Sequence, residues 1–450
     1  MSSYFSAPEC ARAIFVVAGL MLAPASAQAA DPCQPPASPR MISGCTAIVD
    51  DSTATTAERF QALSYRGAAQ MRLGNLDSAF ADFSAAAVLA PDDVEVIGML
   101  AAVHERRGNF DLALAAHDRA IALAPNRGMA YAARAATFAE KGDVARALQD
   151  YDEAIRRQPD KAILHTRRGL LRHRNADVKG AIADYTAALR IDPNNALALA
   201  FRGDAYLAID DLDRALADFD ATLELGAQQD FAFMGRANIR LRRGDNDGAI
   251  ADYSSALAFD PKRSRAFTER GIAHARKLDF ASAAADWSAA LALTPGDHSL
   301  RNRRAHALFI TGQFAEAAVD FGDIVTHTPE YRLAKLLRYI ARARSGDYDM
   351  GELQRNTASL DRDGWPWPMA AVYLGQMTRD EMLAKMSKMN LQDDFRDCGV
   401  SFYLGQYLMV RRKRDEALLF LKQAAEVCRG DGEFERDAAR SELKRQQVSR

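Results

Sequence analysis

The chain has 450 residues and a formal net charge of −2, with 58 basic and 60 acidic residues. This balance gives no reason to expect nucleic acid as a partner, because nucleic-acid-binding proteins carry a marked excess of positive charge. A compact fold of this length would divide into two or three domains, whereas a repeat protein grows by adding units and is free of that size limit.

The N-terminus has the pattern of an export signal. Arg12 precedes an apolar run over residues 13–23, and small residues follow over 25–30. This order predicts a signal peptide over 1–29 that is cleaved after Ala29. The apolar run has about half of the ~20 residues that a membrane-spanning helix needs, which favours a periplasmic or secreted chain, soluble after cleavage. A segment retained as a membrane anchor is the alternative.

A repeat of 34 residues fills the middle of the chain in eight units, from residue 60 (place 1) to residue 331. Place 20 is alanine in all eight units, and place 24 is a large ring in each of them. A small residue one helical turn from a ring is typical of two helices that pack closely. Proline at place 32 prevents the second helix of a unit from continuing. The prolines are Pro91, Pro125, Pro159, Pro193, Pro261, Pro295 and Pro329, and Ala227 takes the vacant position.

A turn is predicted at the centre of each unit. Glycine at place 15 can adopt the left-handed conformation that ends a helix. Asparagine or aspartate at place 16 is a typical N-cap of the following helix. The glycines are Gly74, Gly108, Gly142, Gly244 and Gly312, and the predicted caps are Asn75, Asn109, Asp143, Asp177, Asp211, Asp245 and Asp279.

Two further positions are regular: place 27 is alanine in six units, and place 8 is glycine in four, Gly67, Gly169, Gly203 and Gly271. With all these features, the chain resembles the tetratricopeptide-repeat family. The resemblance covers residues 60–331. It implies an all-α fold, a right-handed α-solenoid of antiparallel helix hairpins. It also implies that the first helices line a concave groove, which binds peptides or protein segments.

An ion pair inside each repeat is predicted from two further positions. Place 7 is arginine and place 23 is aspartate in seven units, and the same unit lacks both, with Leu100 and Ala116 in their places. Losing both partners together is expected of a pair, because removing one leaves a poorly solvated charge. Independent surface charges would not share an exception.

Capping segments are predicted at both ends, since an array of repeats must cover its terminal apolar faces. Residues 30–59 form the N-terminal cap. Residues 332–397 form a degenerate repeat and a linker with the sequence Trp365-Pro366-Trp367-Pro368. Residues 398–450 form a last hairpin and cap, which resembles the C-terminal part of periplasmic repeat lipoproteins that act as adaptors.

Four cysteines remain after the predicted cleavage, and an exported chain meets an oxidising compartment that favours disulfide bonds. The predicted bonds join Cys33 to Cys45 and Cys398 to Cys428, because any other pairing has to connect opposite ends of a long array. Buried free thiols are the alternative.

No catalytic or cofactor-binding motif is found in the sequence, so neither an enzyme activity nor a cofactor is predicted. His298 and His306, or His165 and His173, are eight residues apart and could share a helix face. Two ligands without a third predict no metal site.

Charge separates by helix in units four to eight, where the first helices sum to +15 and the second helices are net negative. A basic groove that steers an acidic partner is therefore predicted. The alternative is that basic residues near the ends of first helices complement the helix dipole. The predicted groove residues are Thr166, His173, Arg174, Asp204, Phe231, Asn238, Arg242, Arg265, Arg276, Asn302 and His306.

The predicted function is a non-catalytic scaffold or adaptor of the cell envelope that binds an acidic peptide or protein segment. The alternative is binding of an anionic envelope polymer or lipid surface, which allows a peripheral contact with the envelope. The sequence makes no prediction of the oligomeric state.

Overall fold

The computed structural model describes Cys33 and residues 39–389, 393–428 and 434–448. All regular structure in these residues is α-helical, which confirms the predicted all-α class. The chain forms two compact units that divide after Gln228. The predicted signal peptide, residues 1–29, lies outside the described residues.

Eleven helices of the first unit lie in the described residues, joined by connections of three to five residues. They are α1 (Pro39–Asp50), α2 (Thr56–Arg72), α3 (Leu76–Leu89), α4 (Val94–Arg106), α5 (Phe110–Leu123), α6 (Gly128–Glu140), α7 (Val144–Arg157), α8 (Ala162–Arg174), α9 (Val178–Ile191), α10 (Ala196–Ala208) and α11 (Leu212–Glu224). Each helix packs against the next, so the unit is a stack of helical hairpins.

The second unit continues the same pattern and then departs from it. Its helices are α12 (Gln229–Arg242), α13 (Asn246–Phe259), α14 (Ser264–Arg276), α15 (Phe280–Leu293), α16 (His298–Thr311), α17 (Phe314–His327), α18 (Arg332–Arg344), α19 (Met350–Thr357), α20 (Trp367–Tyr373), α21 (Arg379–Met386), α22 (Asp393–Val410), α23 (Arg414–Val427) and α24 (Phe434–Val448). The eight hairpins α2–α17 occupy the predicted repeats 60–331.

The ring at place 24 packs on the backbone of the first helix. A Cβ added to Gly169 would stand 2.8 Å from Cε1 of Tyr185, and one added to Gly271 would stand 2.5 Å from Nε1 of Trp287. The alanine at place 20 is fully buried in all eight repeats. Glycine at place 8 and alanine at place 20 therefore set how closely the two helices of a hairpin approach.

Place 15 is left-handed even where it is not glycine. Ala176, Asp210 and Leu278 have φ angles of 64°, 62° and 62°, close to the 85° of Gly142. Left-handed backbone costs an ordinary residue about 1–2 kcal/mol. The packing of the two helices thus imposes the turn on side chains that disfavour it. Five of the seven predicted N-caps accept a backbone hydrogen bond, whereas Asn75 and Asn109 do not.

The predicted ion pair is confirmed in all seven repeats that carry both residues. In each one, Nε and Nη2 of the arginine donate to the two carboxylate oxygens of the aspartate, which is buried. The closest contacts are Arg66–Asp82 2.7 Å, Arg134–Asp150 2.8 Å, Arg168–Asp184 2.5 Å, Arg202–Asp218 2.8 Å, Arg236–Asp252 2.8 Å, Arg270–Asp286 2.7 Å and Arg304–Asp320 2.6 Å.

The repeat without the pair contains a different polar cluster. Its place 24 is His117, which is buried, and Nε2 of His117 lies 3.2 Å from Oε1 of Glu105. Thr137, on the first helix of the next repeat, donates its hydroxyl to the same carboxylate. The departure from arginine and aspartate is therefore compensated by side chains of two adjacent repeats.

The two predicted disulfide bonds are both present in the described residues. Cys33 is bonded to Cys45 on α1, and Cys398 on α22 is bonded to Cys428 at the end of α23, with Cα atoms 4.7 and 4.9 Å apart. The helix α1 packs on α2, so the first disulfide lies in the segment that covers the first repeat. In the linker, the Trp365–Pro366 peptide bond is cis. A capping box of Thr378 and Glu381 is present at the start of α21.

Leu278→Gly is expected to stabilise the second unit by about 0.5–1 kcal/mol, because it relieves left-handed strain while adding flexibility to the unfolded chain. The leucine side chain is 55% exposed, so little packing is lost. Urea unfolding measures the change. The reverse substitution at an equivalent turn, Gly142→Leu, should destabilise. A loss of stability in Leu278→Gly would contradict the assignment of strain to this turn.

A double-mutant cycle tests the buried ion pair. Arg202→Met leaves Asp218 buried without its partner, and we expect it to cost about 2 kcal/mol of unfolding free energy. The double change Arg202→Met, Asp218→Leu should cost at least about 1 kcal/mol less than the sum of the single changes. The exposed pair Arg119–Asp92, at 3.2 Å, is the control, and its coupling should stay below about 1 kcal/mol. Equal coupling in the two cycles would refute a special contribution from the internal pair.

Candidate functional site

The predicted groove residues divide between the two units. Four lie on α8 and α10 of the first unit, and seven lie on α12, α14 and α16 of the second. Each set is a surface of its own unit, and the two are described separately.

In the first unit, burial removes two of the four predicted residues from the surface. Thr166 is 1% exposed and donates its hydroxyl to the carbonyl of Ala162, at 3.1 Å. Asp204 is 5% exposed, with its carboxylate 4.0 Å from Nε2 of His173. Burial lowers the pKa of His173, which favours its neutral form. Arg174 is exposed. The prediction of Thr166 and Asp204 as open contact residues is therefore wrong, because places 5 and 9 turn into the helix packing here.

In the second unit, the buried hydroxyl of Tyr253 lies near side chains of two neighbouring helices. The hydroxyl of Tyr253 on α13 donates to Oδ1 of Asn238 on α12, at 2.6 Å. Burial raises the pKa of Tyr253, and the charge of Glu269 on α14 raises it further. The charges of Arg265 and Arg276, on the same helix, act in the opposite direction. We call Asn238, Tyr253, Arg265 and Arg276 the Arg265 face.

Asn238 is 5% exposed, so the structure corrects its prediction as an open groove residue. The place 24 tyrosine reaches across and takes its carbonyl oxygen as an acceptor. Its Nδ2 donor has no hydrogen-bond partner among the described residues. Phe231 is half-buried, and Arg242 is exposed.

Arg276 has part of the role given by the alternative to the groove prediction, in which basic residues near the ends of first helices complement the helix dipole. Its Nη1 donates to the carbonyl of Leu241 near the end of α12, at 2.5 Å. Arg106 makes the equivalent contact with Met71, at 2.6 Å. Arginine at place 13 thus satisfies a carbonyl at the end of the preceding first helix, where the helix dipole favours a positive charge.

In two repeats, a second arginine contacts the aspartate at place 23, and this contact was not predicted. Arg172 lies 2.8 Å from Asp184, and Arg240 lies 2.9 Å from Asp252. Both arginines occupy place 11, which is not regularly basic in the repeat, so periodicity gave only a weak signal for them. These contacts use part of the positive charge that the sequence assigned to the groove.

The C-terminal helix covers the surface predicted around His306. Phe434, at the start of α24, stacks on His306 with ring centroids 4.4 Å apart. Ser441 and Arg445 donate to the carbonyl of Ile310, at 2.7 and 2.5 Å. His306 is therefore not an open groove residue, whereas Asn302 on the same helix is half-buried.

This docking is anchored by a buried charge. Glu442 on α24 is fully buried and pairs with Arg344 on α18, at 2.9 Å, and with Arg445, at 2.5 Å. The residues of α24 were predicted only as a cap, with no assigned target. Their contacts with α16 and α18 join residues 98 to 135 positions apart, which no periodic pattern predicts.

Among the described residues, no helix combines the length and the hydropathy needed to cross a bilayer.

A family model described as tetratricopeptide repeat matches residues 99–162, 133–196, 202–264 and 268–330. No curated protein matches the chain. Similar solved structures include a tetratricopeptide repeat protein from Parabacteroides merdae, with 19% identity, a TM-score of 0.41 and coverage of 54% of this chain and 97% of that one. YrrB, described as having an unusual peptide-binding site, shares 18% identity with a TM-score of 0.37 over 41% of this chain and 95% of its own. A repeat protein from Thermus thermophilus shares 24% identity with a TM-score of 0.34 over 44% and 99%.

Acidification is expected to loosen the contact between α24 and α16. Burial lowers the pKa of His306 from 6.5 to about 4, so the unfolded chain binds more protons between these values. Stability should therefore fall by about 2–3 kcal/mol as the pH drops from 6.5 to about 4.5. Urea unfolding as a function of pH measures this change.

His306→Phe keeps a ring against Phe434 and removes the titration, so its stability should depend less on pH over this interval. His274→Phe is the control at a partly exposed position, and it should retain the wild-type dependence. Identical profiles for the wild type and His306→Phe would rule out His306 as the source.

Proposed function

The chain belongs to the tetratricopeptide-repeat family, whose members bind protein or peptide partners, and we propose that this protein is a non-catalytic adaptor of the cell envelope. In this proposal, the Arg265 face of the second unit holds an acidic segment of a partner protein.

The observation that carries the proposal is the unpaired donor of Asn238 next to two guanidinium groups. Buried polar atoms normally have a hydrogen-bond partner. Nδ2 of Asn238 has none among the described residues, and because it is buried, a bound segment supplies a carbonyl or carboxylate oxygen only when the side chains that cover it move aside. The acceptor side of the same amide is already held by Tyr253, which fixes the orientation of the donor.

The charges around this donor are mixed. Glu269, Arg265 and Arg276 of α14 all act on the Tyr253 hydroxyl, and Glu269 has the largest effect of the three, so an acidic ligand here depends on direct contact with the two guanidinium groups. Arg276 uses Nη1 for the carbonyl of Leu241 and retains its charge and its other N–H groups. A guanidinium group binds a carboxylate with both charge and fixed geometry.

The envelope location is also a proposal. It is supported by the two disulfide bonds, Cys33–Cys45 and Cys398–Cys428, because such bonds persist mainly in oxidising compartments. The export signal predicted over residues 1–29 agrees with this location.

Reversal of one charge tests the proposed face. Arg265→Glu should raise the Kd for a fluorescein-labelled, glutamate-rich decapeptide at least about tenfold, because like charges then face each other. Fluorescence anisotropy measures the affinity, and binding to the wild type should weaken as salt is added. A pull-down from envelope extract with the same variants identifies a protein whose capture depends on Arg265.

Lys262→Glu is the matched control, because it makes the same change in net charge at an exposed residue between α13 and α14. It should bind the peptide like the wild type. Equal weakening by both reversals would mean that only overall charge matters and would refute the face. If Arg265→Glu loses binding to anionic vesicles or polymer but still captures the same proteins in the pull-down, the alternative ligand, an anionic polymer or lipid surface, is favoured.

A further inference from the structure

Two histidines and a carboxylate meet at one corner of the eighth repeat. His298 is the first residue of α16, and Asp323 and His327 lie near the end of α17. Nδ1 of His298 is 3.0 Å from one carboxylate oxygen of Asp323, and Nδ1 of His327 is 3.4 Å from the other. The two imidazole rings are stacked, with centroids 4.8 Å apart and planes inclined by 18°.

These spacings suit a shared metal ion. Zinc binds histidine nitrogen and carboxylate oxygen at about 2.0–2.2 Å in a tetrahedral arrangement, so neighbouring ligand atoms stand about 3.3 Å apart. The two observed nitrogen-to-oxygen distances lie on either side of that value. One ligand atom from each of the three residues falls within 4.8 Å of the others. Closing the remaining gap requires the 52% exposed side chain of His327 to rotate and to give up the contact of its Nδ1 with the carbonyl of Asp323, at 3.0 Å.

The repeat lattice shows that this corner is specific to the eighth unit. His327 occupies place 30, where six of the other seven repeats have a large apolar residue and the third has Arg157. His298 is the only histidine at place 1 among the eight units. Packing of the hairpin therefore does not require either histidine.

We propose that His298, Asp323 and His327 form a binding site for a divalent transition-metal ion, with Zn²⁺ as the best match. Two imidazoles and one carboxylate are ligands that zinc prefers. The site leaves a fourth position for water, since His327 is open to solvent. The ion joins the start of α16 to the end of α17, so its binding stabilises the last hairpin of the repeat array. This inference is independent of the proposed function.

Arg301 modulates the site. Its Nε lies 3.1 Å from the Asp323 carboxylate, and its Nη2 donates to the carbonyl of Pro295, at 2.7 Å. A positive charge beside the ligands opposes a divalent cation but can hold the bound carboxylate in place as an outer partner. Because charge repulsion is the larger effect at this separation, Arg301→Gln is expected to bind the ion more tightly.

The test uses the mature chain without an affinity tag, freed of metal with a chelator. Isothermal titration with ZnCl₂ should give one site per chain, and Co²⁺ should show the absorption of a tetrahedral ion. Asp323→Asn and His327→Ala should each weaken Zn²⁺ binding by more than the roughly 10–100-fold typical of losing an outer partner. Zn²⁺ should also raise the melting temperature of the wild type and not of these variants.

His274→Ala is the matched control, because His274 lies 3.3 Å from Asp279 and 4.0 Å from Asp286 but has no second histidine beside it in the described structure. It should bind Zn²⁺ like the wild type. Circular dichroism establishes that each variant is folded. The proposal is overturned if the wild type does not bind Zn²⁺, or if folded Asp323→Asn and His327→Ala bind it unchanged.

Discussion

The guanidinium group at place 7 is the interaction on which the stacking of the repeats depends. Arg168 on α8 donates through Nε and Nη2 to Asp184 on α9 and through Nη1 to Asp152 on α7, at 2.6 Å. One side chain therefore connects its own hairpin to the preceding one. Arg134 also donates both to its own hairpin and to the preceding one. Its hydrogen bond with Asp150 is the largest of the effects that raise the pKa of Arg134. Such a planar fork tolerates little displacement, so it specifies the register of the helices.

This arrangement limits what the repeats can offer a partner. Each buried aspartate requires a cation, and at Asp184 and Asp252 a second arginine from place 11 contributes. The positive charge of the first helices is therefore largely engaged in holding hairpins together. Charge used for recognition has to come from side chains that these contacts do not fully occupy, such as Arg276, which keeps N–H groups beyond the one that it gives to Leu241. A count of charges along the sequence overestimates the basic character of the groove, because it does not distinguish these two roles.

The same distinction explains which features were predictable from sequence. The hairpins, the internal ion pair and the left-handed turns follow from contacts within about one repeat, and periodicity displays such contacts directly. Leu100 and Ala116 were especially informative, because one shared exception identified two partners. The burial of Thr166 and Asn238 was not predictable, since it depends on how far each helix rotates toward its neighbour. The covering of His306 by Phe434 joins residues 128 positions apart, and no local signal encodes it.

Departures from the repeat are where a chain of this kind carries individual chemistry. In the third repeat, Glu153 and Arg157 occupy places 26 and 30 and form an ordinary ion pair along one helix, at 2.5 Å. The eighth repeat has Asp323 and His327 at the same places and adds His298 at place 1 from the partner helix. An acid and a cation on one helix face are explained by charge pairing alone. A second imidazole brought to the same carboxylate supplies another nitrogen donor atom, and that is the feature a metal ion uses and an ion pair does not.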